Sequence, residues 1–344
     1  MREKLKIAVV GATGAVGETM LSILAENGFK DCTIHALASE KSLGKTVEFG
    51  KRFIAVEVLD DFDFAGIDFA LFSAGREISL QHVPRASAAG SIVIDNTSAF
   101  RQDDDIPLVI PEINADLLED LAAGAIIANP NCSTIQMLVA IAPIHAAVGI
   151  DRINVATYQS VSGAGRKGLE ELARQTMDRL SFKEAKPAVF AQPIAFNAIP
   201  VIDEMQDNDY TREEMKLQWE TSKILRDPSI GVNATAVRVP VFFGHSEAVH
   251  LETSRDISMQ DVRELLQTAP GLELVEDNDP RAQVTAVTHA AGKDAVFVSR
   301  LRRDHSHPRG INMWVVSDNV RKGAALNAVQ ILITIVSGKL PVET

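Results

Sequence analysis

Short apolar runs alternate with helix-like stretches along the first third of the chain. KIAVV (6–10) precedes a helical pattern over 15–27, while CTIHALA (32–38), DFALFSAG (68–75) and SIVIDN (91–96) are strand-like. Apolar strands separated by helices are typical of a parallel sheet whose two faces are both covered. The pattern therefore predicts an α/β fold with a doubly wound, mostly parallel sheet, as in Rossmann-type dinucleotide-binding domains.

The pattern changes after Cys132. CSTIQMLVAIAPIHAAV is apolar nearly all round, which predicts a buried helix. The later strand-like segments are longer and alternate polar with apolar positions, and few helical patterns separate the last of them. These segments are 153–163, 232–241, 247–255, 295–303 and 312–319. They predict a second, α+β domain with a mixed sheet.

The chain is long enough for two domains, since 344 residues exceed one typical domain. The carboxy-terminal stretch RKGAALNAVQILITIVSGKL is helical, and its apolar face needs a partner. We expect a first domain of residues 1–131, completed by a carboxy-terminal helix of residues 320–344, and a second domain of residues 132–319.

Composition narrows the class of protein. With 46% hydrophobic and 23% charged residues, the chain has the composition of an ordinary globular protein. Its two cysteines do not form a disulfide framework, so we expect the cytoplasm. Glycines interrupt the first apolar run, which argues against a signal peptide, and no stretch approaches the roughly 18 apolar residues of a membrane span. The net charge of −12 argues against a nucleic-acid partner.

A glycine-rich turn follows the first strand. In VVGATGAVGETM, Gly11, Gly14 and Gly17 are spaced G-x-x-G-x-x-G, which differs from the usual dinucleotide fingerprint. Glycines let the backbone approach a pyrophosphate, whose charge a helix N-terminus favours. A glycine turn without a ligand is the alternative. The cofactor contacts expected here are Gly11, Thr13, Gly14, Ala15 and Val16.

The segment after the second strand bears on the choice between NAD and NADP. Glu40 could hold a ribose diol, as in NAD enzymes, whereas Ser39, Lys41 and Ser42 suit a 2′-phosphate. We favour NADP. If Lys41 is only a solvated loop charge, this preference is lost.

Cys132 lies in NPNCST, directly before the predicted buried helix. Asn131 and Ser133 favour a turn or helix cap, so the thiol would lie at a helix N-terminus. The helix dipole there lowers the pKa of a thiol and favours the thiolate. An inert buried cysteine is the alternative, and Cys32 is interpreted in that way.

A nucleophilic cysteine needs a group that handles protons, and His245 is the candidate. It follows a glycine between two strands in PVFFGHSEAVHLE, which predicts an exposed turn. His250 is interpreted as an ordinary strand residue. His305 and His307 are close in sequence, but no further ligand cluster accompanies them, so we expect a loop and no metal site.

Five separated motifs resemble those of the aspartate-semialdehyde dehydrogenase family, in the same order. They are GATGAVG, NPNCST, YQSVSGAGRKG, RVPVFFGHSEAVHLE and DNVRKGAALNAVQI, and the resemblance extends from about residue 5 to residue 332. It implies a homodimer that uses NADPH to reduce L-aspartyl 4-phosphate to L-aspartate 4-semialdehyde with release of phosphate, on the route to lysine (through diaminopimelate), methionine and threonine. The first domain would bind NADP, and the second would carry catalysis and the dimer contact.

The resemblance also implies roles for three residues in the chemistry. Cys132 would attack the acyl phosphate to form a thioester, which hydride transfer then converts to the aldehyde. His245 would act as the acid/base for the thiol and the leaving group. Gln159, in YQSVSG, would orient the acyl group.

Further positions match the family's substrate contacts. Arg238 would bind the substrate carboxylate and Glu220 its amine, while Lys223, Arg101 and Asn131 would contact phosphate. Three alternatives are open: Glu220 and Lys223 form a surface ion pair, Arg238 faces solvent, or the run of aspartates after Arg101 keeps phosphate away.

Positions matching the nicotinamide end of the cofactor site are Ser162, Gly163 and Asn319. Two positions depart from the family pattern. Lys41 stands where an arginine is usual, and Arg76 stands where a small residue is expected. Two rival functions remain: another acyl-phosphate reductase, of the N-acetylglutamyl-phosphate type, or a non-catalytic relative on the same fold.

Overall fold

The computed structural model describes residues 5–276 and 279–338. These residues divide into two compact units. The first contains residues 5–130 and 324–338, and the second contains the described residues between 131 and 323. No helix of the described chain is long and apolar enough to cross a membrane.

The first unit is built around a seven-stranded sheet in the order β3-β4-β2-β1-β5-β6-β7. Only the β3–β4 pair is antiparallel, which confirms the predicted mostly parallel sheet. Its strands are β1 (Lys6–Val10), β2 (Thr33–Ala38), β3 (Thr46–Phe49), β4 (Arg52–Val58), β5 (Phe69–Phe72), β6 (Ile92–Asp95) and β7 (Ile126–Ala128). Its first three helices are α1 (Ala15–Glu26), α2 (Arg76–Ala88) and α3 (Pro111–Asn114).

The turn between β1 and α1 depends on two glycines. Gly11 has φ +86°, a left-handed conformation that favours glycine, and its N–H donates to the Leu37 carbonyl at 2.9 Å. A Cβ at Gly17 would lie only 2.2 Å from the Gly11 carbonyl oxygen. Helix α1 therefore packs directly onto the backbone of the turn that precedes it.

The second unit contains a six-stranded sheet in the order β11-β12-β13-β10-β8-β9. The β11–β12 and β8–β9 pairs are parallel and the others antiparallel, so the predicted mixed sheet is confirmed. The strands are β8 (Ile150–Gln159), β9 (Gly231–Arg238), β10 (His245–Thr253), β11 (Leu272–Leu274), β12 (Val296–Arg303) and β13 (Gly310–Ser317). The helices are α4 (Cys132–Val148), α5 (Gly165–Leu180), α6 (Arg212–Leu225) and α7 (Met259–Thr268).

Helix α4 begins at Cys132, as predicted, and is buried along most of its length. Its N-cap is Asn131, whose side-chain Oδ1 accepts from the backbone N–H groups of Ser133 at 3.0 Å and Thr134 at 3.4 Å. Such a cap satisfies amide groups that have no partner inside the helix. The cap thus determines where the cysteine stands.

The last helix, α8 (Leu326–Ser337), packs its apolar residues into the core of the first unit. Asn327 anchors its start, because its Nδ2 donates to the Val109 carbonyl at 2.9 Å and to Asn129 Oδ1 at 2.7 Å. This packing supplies the partner that the apolar face of the carboxy-terminal stretch required.

Replacing Gly17 with alanine tests the close approach of α1 to its turn. The added Cβ cannot fit without moving backbone, so we expect Gly17→Ala to lower the free energy of unfolding by about 1–3 kcal/mol, despite alanine's higher helix propensity. Urea denaturation measures this. The control Ser22→Ala changes an exposed position of the same helix and should stay within about 0.5 kcal/mol. Equal stability of wild type and Gly17→Ala would contradict the close packing.

Candidate active site

Cys132 is half-buried at the positive end of α4. Gly323 approaches it closely, since a Cβ at Gly323 would lie 2.8 Å from the Cys132 Cβ. Only glycine leaves room beside the thiol at that position. The sequence contained this residue in DNVRKGAALNAVQI, but its function as a wall of the cysteine site was not predicted.

Asn131 connects the start of α4 to two carboxylates of helix α6. Its backbone N–H donates to Glu220 Oε2 at 2.7 Å, and its side-chain Nδ2 donates to Glu213 Oε1 at 3.0 Å. Glu220 is only 3% exposed, so it does not lie on the surface, as the alternative of a surface ion pair with Lys223 required. Lys223 is half-buried on the same helix.

Glu213 is a carboxylate of the cluster with three hydrogen-bond partners, and it was not predicted from the sequence. In addition to Asn131, its Oε1 accepts from Gln159 Nε2 at 2.9 Å, and its Oε2 accepts from Lys216 Nζ at 2.8 Å. Burial opposes ionisation, but the Lys216 charge and these hydrogen bonds lower the pKa of Glu213 to about 2. A buried carboxylate therefore holds the Gln159 amide beside the helix cap. The only sequence signal was a Glu-x-x-Lys spacing, which is common on solvated helices.

His245 lies at the start of β10 and is completely buried, so the predicted exposed turn is wrong. The backbone N–H of Ser160 donates to His245 Nδ1 at 3.1 Å, and His245 Nε2 lies 3.4 Å from Gln159 Nε2. Burial and the nearby Arg238 charge lower the pKa of His245 to about 3, although Glu213 opposes the shift. The ring is therefore neutral at physiological pH. Because Nδ1 accepts from a backbone N–H, we assign the single ring proton to Nε2. The longer contact with Gln159 Nε2, which can only donate, is then not a hydrogen bond.

Arg238 ends strand β9, in register with Gln159 on β8. It is 7% exposed, so the alternative of a solvent-facing side chain is wrong. Its Nη1 donates to the Ser160 carbonyl at 2.7 Å. Burial lowers the pKa of Arg238, while Glu213 and Cys132 oppose this shift, which identifies both as electrostatic neighbours of the guanidinium. A Cβ at Gly163 would lie 2.8 Å from the same Nη1.

Ser162 and Asn319, matched to the nicotinamide end of the site, contact each other directly. Asn319 Oδ1 accepts from Ser162 Oγ at 3.0 Å, Ser160 Oγ at 3.1 Å and the Gly244 N–H at 2.9 Å. Ser160 also hydrogen-bonds His245, so one network connects these residues to the histidine. Ser160 and Gly244 were not predicted as site residues.

The remaining expected residues lie in the first unit. Thr13 Oγ1 and Ser42 Oγ are 3.4 Å apart, which brings the glycine turn next to the segment after β2. Helix α1 has Gly14 as its N-cap, with no side-chain cap for its first N–H groups. Ser39, Glu40 and Lys41 are exposed on a 3₁₀ turn after β2. An uncapped helix start next to glycine backbone fits the pyrophosphate of a dinucleotide.

Arg101 is only 9% exposed, and its Nη2 donates to the Asn96 carbonyl at 2.9 Å. The aspartates 103–105 are exposed. The arginine is therefore buried, whereas the acidic run faces solvent. His305 and His307 lie in the loop between β12 and β13, and the described residues contain no cluster of three or more groups able to hold a metal ion.

Family comparisons match both units. A model described as semialdehyde dehydrogenase, NAD binding domain, matches residues 6–121, and one described as semialdehyde dehydrogenase, dimerisation domain, matches residues 141–322. An aspartate-semialdehyde dehydrogenase of Legionella pneumophila is 55% identical over 96% of this chain and 95% of its own length. One from Aquifex aeolicus is 48% identical over 95% of this chain and 96% of its own.

Comparison with solved structures points to the same family. Aspartate semialdehyde dehydrogenase II of Vibrio cholerae, crystallised in complex with ASA, matches with a TM-score of 0.94 and 54% identity over 97% of this chain and 98% of that one. The fold and the two family matches define an oxidoreductase with an NAD(P)-binding domain of Rossmann type. More narrowly, the chain belongs to the aspartate-semialdehyde dehydrogenase family, which confirms the resemblance found in the sequence.

Glu213→Gln tests whether this carboxylate organises the site. Glutamine is neutral, so the buried Lys216 loses the charge of one of its two carboxylate partners. The free energy of unfolding should therefore fall by about 3 kcal/mol. Because an amide has only one acceptor oxygen, it cannot serve both Lys216 and the pair Gln159 and Asn131, and we expect kcat to fall by up to about a hundredfold. Thermal unfolding and steady-state rates measure both effects.

The matched control is Glu204→Gln, a carboxylate whose side chain is 78% exposed. It should leave the unfolding temperature and kcat close to the wild-type values. An unchanged kcat in Glu213→Gln would mean that Gln159 and Asn131 keep their positions without this carboxylate.

Proposed function

We propose that this chain is an NADP-dependent aspartate-semialdehyde dehydrogenase. It would convert L-aspartyl 4-phosphate to L-aspartate 4-semialdehyde with release of phosphate, in the cytoplasm, as a step toward lysine, methionine and threonine. The observation that carries the proposal is the position of Cys132. It begins a buried helix whose cap is hydrogen-bonded to the same carboxylate as Gln159, and Gln159 in turn lies beside His245.

The first chemical step would be formation of a thioester. The Cys132 thiolate, favoured by the helix dipole, adds to the acyl carbon of aspartyl phosphate. The C–S bond forms, the C–O bond to phosphate breaks, and phosphate leaves with the bonding electron pair. NADPH, when bound, supplies the hydride that reduces the thioester carbon, after which the C–S bond breaks and the thiolate is restored.

His245 would assist through its Nε2 hydrogen. A neutral ring with Nδ1 engaged by the Ser160 N–H has its donor at Nε2. We propose that this donor stabilises negative charge on the substrate's acyl oxygen in both addition steps. Acceptance of a proton at Nδ1 is opposed by the Ser160 N–H, so the cysteine would enter the reaction as a thiolate that has already lost its proton.

Gln159 would orient the acyl group. Glu213 accepts from its Nε2, and its Oε1 accepts from Thr157 Oγ1 at 3.2 Å. An amide held at both ends has a defined direction, which favours one placement of the substrate. Gln159 and Glu213 would thus act together, with Glu213 as the positioning residue.

The proposed substrate contacts combine both signs of charge. Arg238 would bind the substrate carboxylate, and the buried Glu220 its amine. Lys223 and Arg101 would contact the phosphate. Asn131 already uses Oδ1 as the helix cap and one Nδ2 hydrogen on Glu213, so at most its second amide hydrogen is available to phosphate.

For the cofactor we propose NADP rather than NAD. The glycine turn and the start of α1 would receive the pyrophosphate, and Ser39, Lys41 and Ser42 the 2′-phosphate. Ser42 is 8% exposed and close to Thr13, which supports a formed pocket wall at this point. Ser162, Gly163 and Asn319 would contact the nicotinamide end.

We further propose a homodimer formed through the second unit, whose matched family model is described as a dimerisation domain. The domain roles follow: residues 1–131 with 320–344 would bind NADP, and 132–319 would carry catalysis and dimer contacts.

The rival acyl-phosphate reductase lacks support from Glu220, since a buried carboxylate suits a free amine and not an acetylated one.

Cys132→Ala tests the nucleophile, with Cys32→Ala as the matched control. Wild type should reduce NADP when given aspartate semialdehyde and phosphate, and Cys132→Ala should lose roughly a thousandfold or more in kcat. Cys32→Ala, half-buried in the first unit, should keep the wild-type rate. Substantial activity in Cys132→Ala, or a preference for N-acetylglutamate semialdehyde, would refute the proposal.

Lys41→Ala tests the choice of cofactor. Loss of a charged contact to the 2′-phosphate should raise the KM for NADP about tenfold and leave the KM for NAD unchanged. Lys45→Ala removes a similar exposed charge four positions later and should change neither value. Equal effects of the two substitutions would mean that Lys41 does not recognise the 2′-phosphate.

A further inference from the structure

Glu247 is a buried acid that the proposed chemistry does not use. It lies two residues after His245 on β10, on the same face of the strand, and it is completely buried. Neither of its carboxyl oxygens has a hydrogen-bond partner. Its neighbours across the sheet are Thr157 on β8 and Val315 on β13, and neither can ionise.

Gln136 presents the same anomaly on helix α4. It follows Cys132 by four residues, so the two side chains lie on one face of the helix, one turn apart. Gln136 is completely buried, and neither atom of its side-chain amide has a hydrogen-bond partner. Buried polar groups without partners are rare in folded proteins and costly.

The two groups are neighbours. Helix α4 packs against β10. Burial raises the pKa of Glu247 well above its ordinary value, and the Gln136 amide opposes only part of this shift. Burial thus favours the uncharged form of this acid. An uncharged carboxylic acid has one O–H donor and one carbonyl acceptor, and a primary amide has the matching acceptor and donors.

We propose that Glu247 carries a proton and pairs with the Gln136 amide, and that this neutral pair holds the helix of Cys132 against the strand of His245. The pair forms directly or through a bridging water, as is common for buried polar groups. Its effect on catalysis rests on the proposed function, whereas the pairing itself does not. A carboxylate would lack the donor that the amide oxygen of Gln136 requires.

Both ring nitrogens of His245 face groups other than Glu247. We therefore describe Glu247 as a positioning residue. Nδ1 accepts from Ser160, and Nε2 lies beside Gln159. The carboxyl thus acts through the helix and strand that it joins. Its proton stays on the acid during turnover.

The first experiment compares Glu247→Gln with Glu247→Leu. Glutamine is neutral and similar in shape, and an amide can form the same two hydrogen bonds with Gln136, so kcat should stay within about threefold of wild type. Leucine leaves the Gln136 amide without a partner, and kcat should fall about tenfold or more at unchanged KM. A loss in Glu247→Gln as large as in Glu247→Leu would overturn the neutral pair.

The second experiment separates positioning from general stability and needs no turnover. The rate at which iodoacetamide alkylates Cys132 is measured against pH in wild type, Glu247→Leu and Gln136→Leu. Both variants should slow alkylation at neutral pH and shift its midpoint, by similar amounts. The control is Val249→Ala, which removes a buried side chain from the same face of β10. It should lower thermal stability and leave the alkylation profile unchanged.

An alkylation profile that shifts equally in Val249→Ala would overturn the positioning role, even if the variants lose activity. The protonation state is read separately by infrared spectroscopy. Wild type at neutral pH should show a carbonyl band of a protonated carboxylic acid that disappears in Glu247→Gln. Absence of that difference would overturn the proposal, while the function of Cys132 would be unaffected.

Discussion

The hydrogen bonds of Asn131 are the constraint on which the candidate active site of the second unit depends. Its side-chain oxygen caps α4, which fixes the residue at which the helix begins and therefore the location of Cys132. Its amide nitrogen reaches Glu213, which also holds Gln159. A helix cap and an ionised carboxylate thereby connect Cys132, the proposed nucleophile, to the strand that carries Gln159.

The cluster around this contact is charged and buried, which is stable only when the charges compensate one another. Glu213 and Lys216 form an ion pair. Glu213 and Cys132 also oppose the lowering of the Arg238 pKa that burial causes. His245, deprived of water and close to Arg238, stays neutral. In an acidic chain of net charge −12, these few placed cations would supply the local positive potential that the proposed anionic substrate needs.

Periodicity predicted the parallel sheet, the mixed sheet and the start of α4, because these features depend on local patterns of apolar residues. The β3–β4 hairpin and helix α7 were not predicted, although both carry a local pattern. Val47 and Phe49 of β3 alternate with polar residues, and the buried Val262 and Leu266 of α7 are four residues apart. Burial of His245 could not be predicted from its glycine turn, because burial depends on elements distant in sequence. Glu213, Glu247 and Gln136 were missed for the same reason: their partners lie on other elements, and no local pattern indicates them.

Whether Cys132 is an activated thiolate can be measured from the pH dependence of cysteine alkylation in the wild-type protein. The second cysteine serves as an internal reference, because burial raises the pKa of the Cys32 thiol above its ordinary value. Mass spectrometry can follow the two peptides separately. If Cys132 is an activated thiolate, we expect it to be alkylated rapidly, even below neutral pH. Cys32 should react slowly until the solution is alkaline. Equal rates at the two cysteines across the pH range would contradict it.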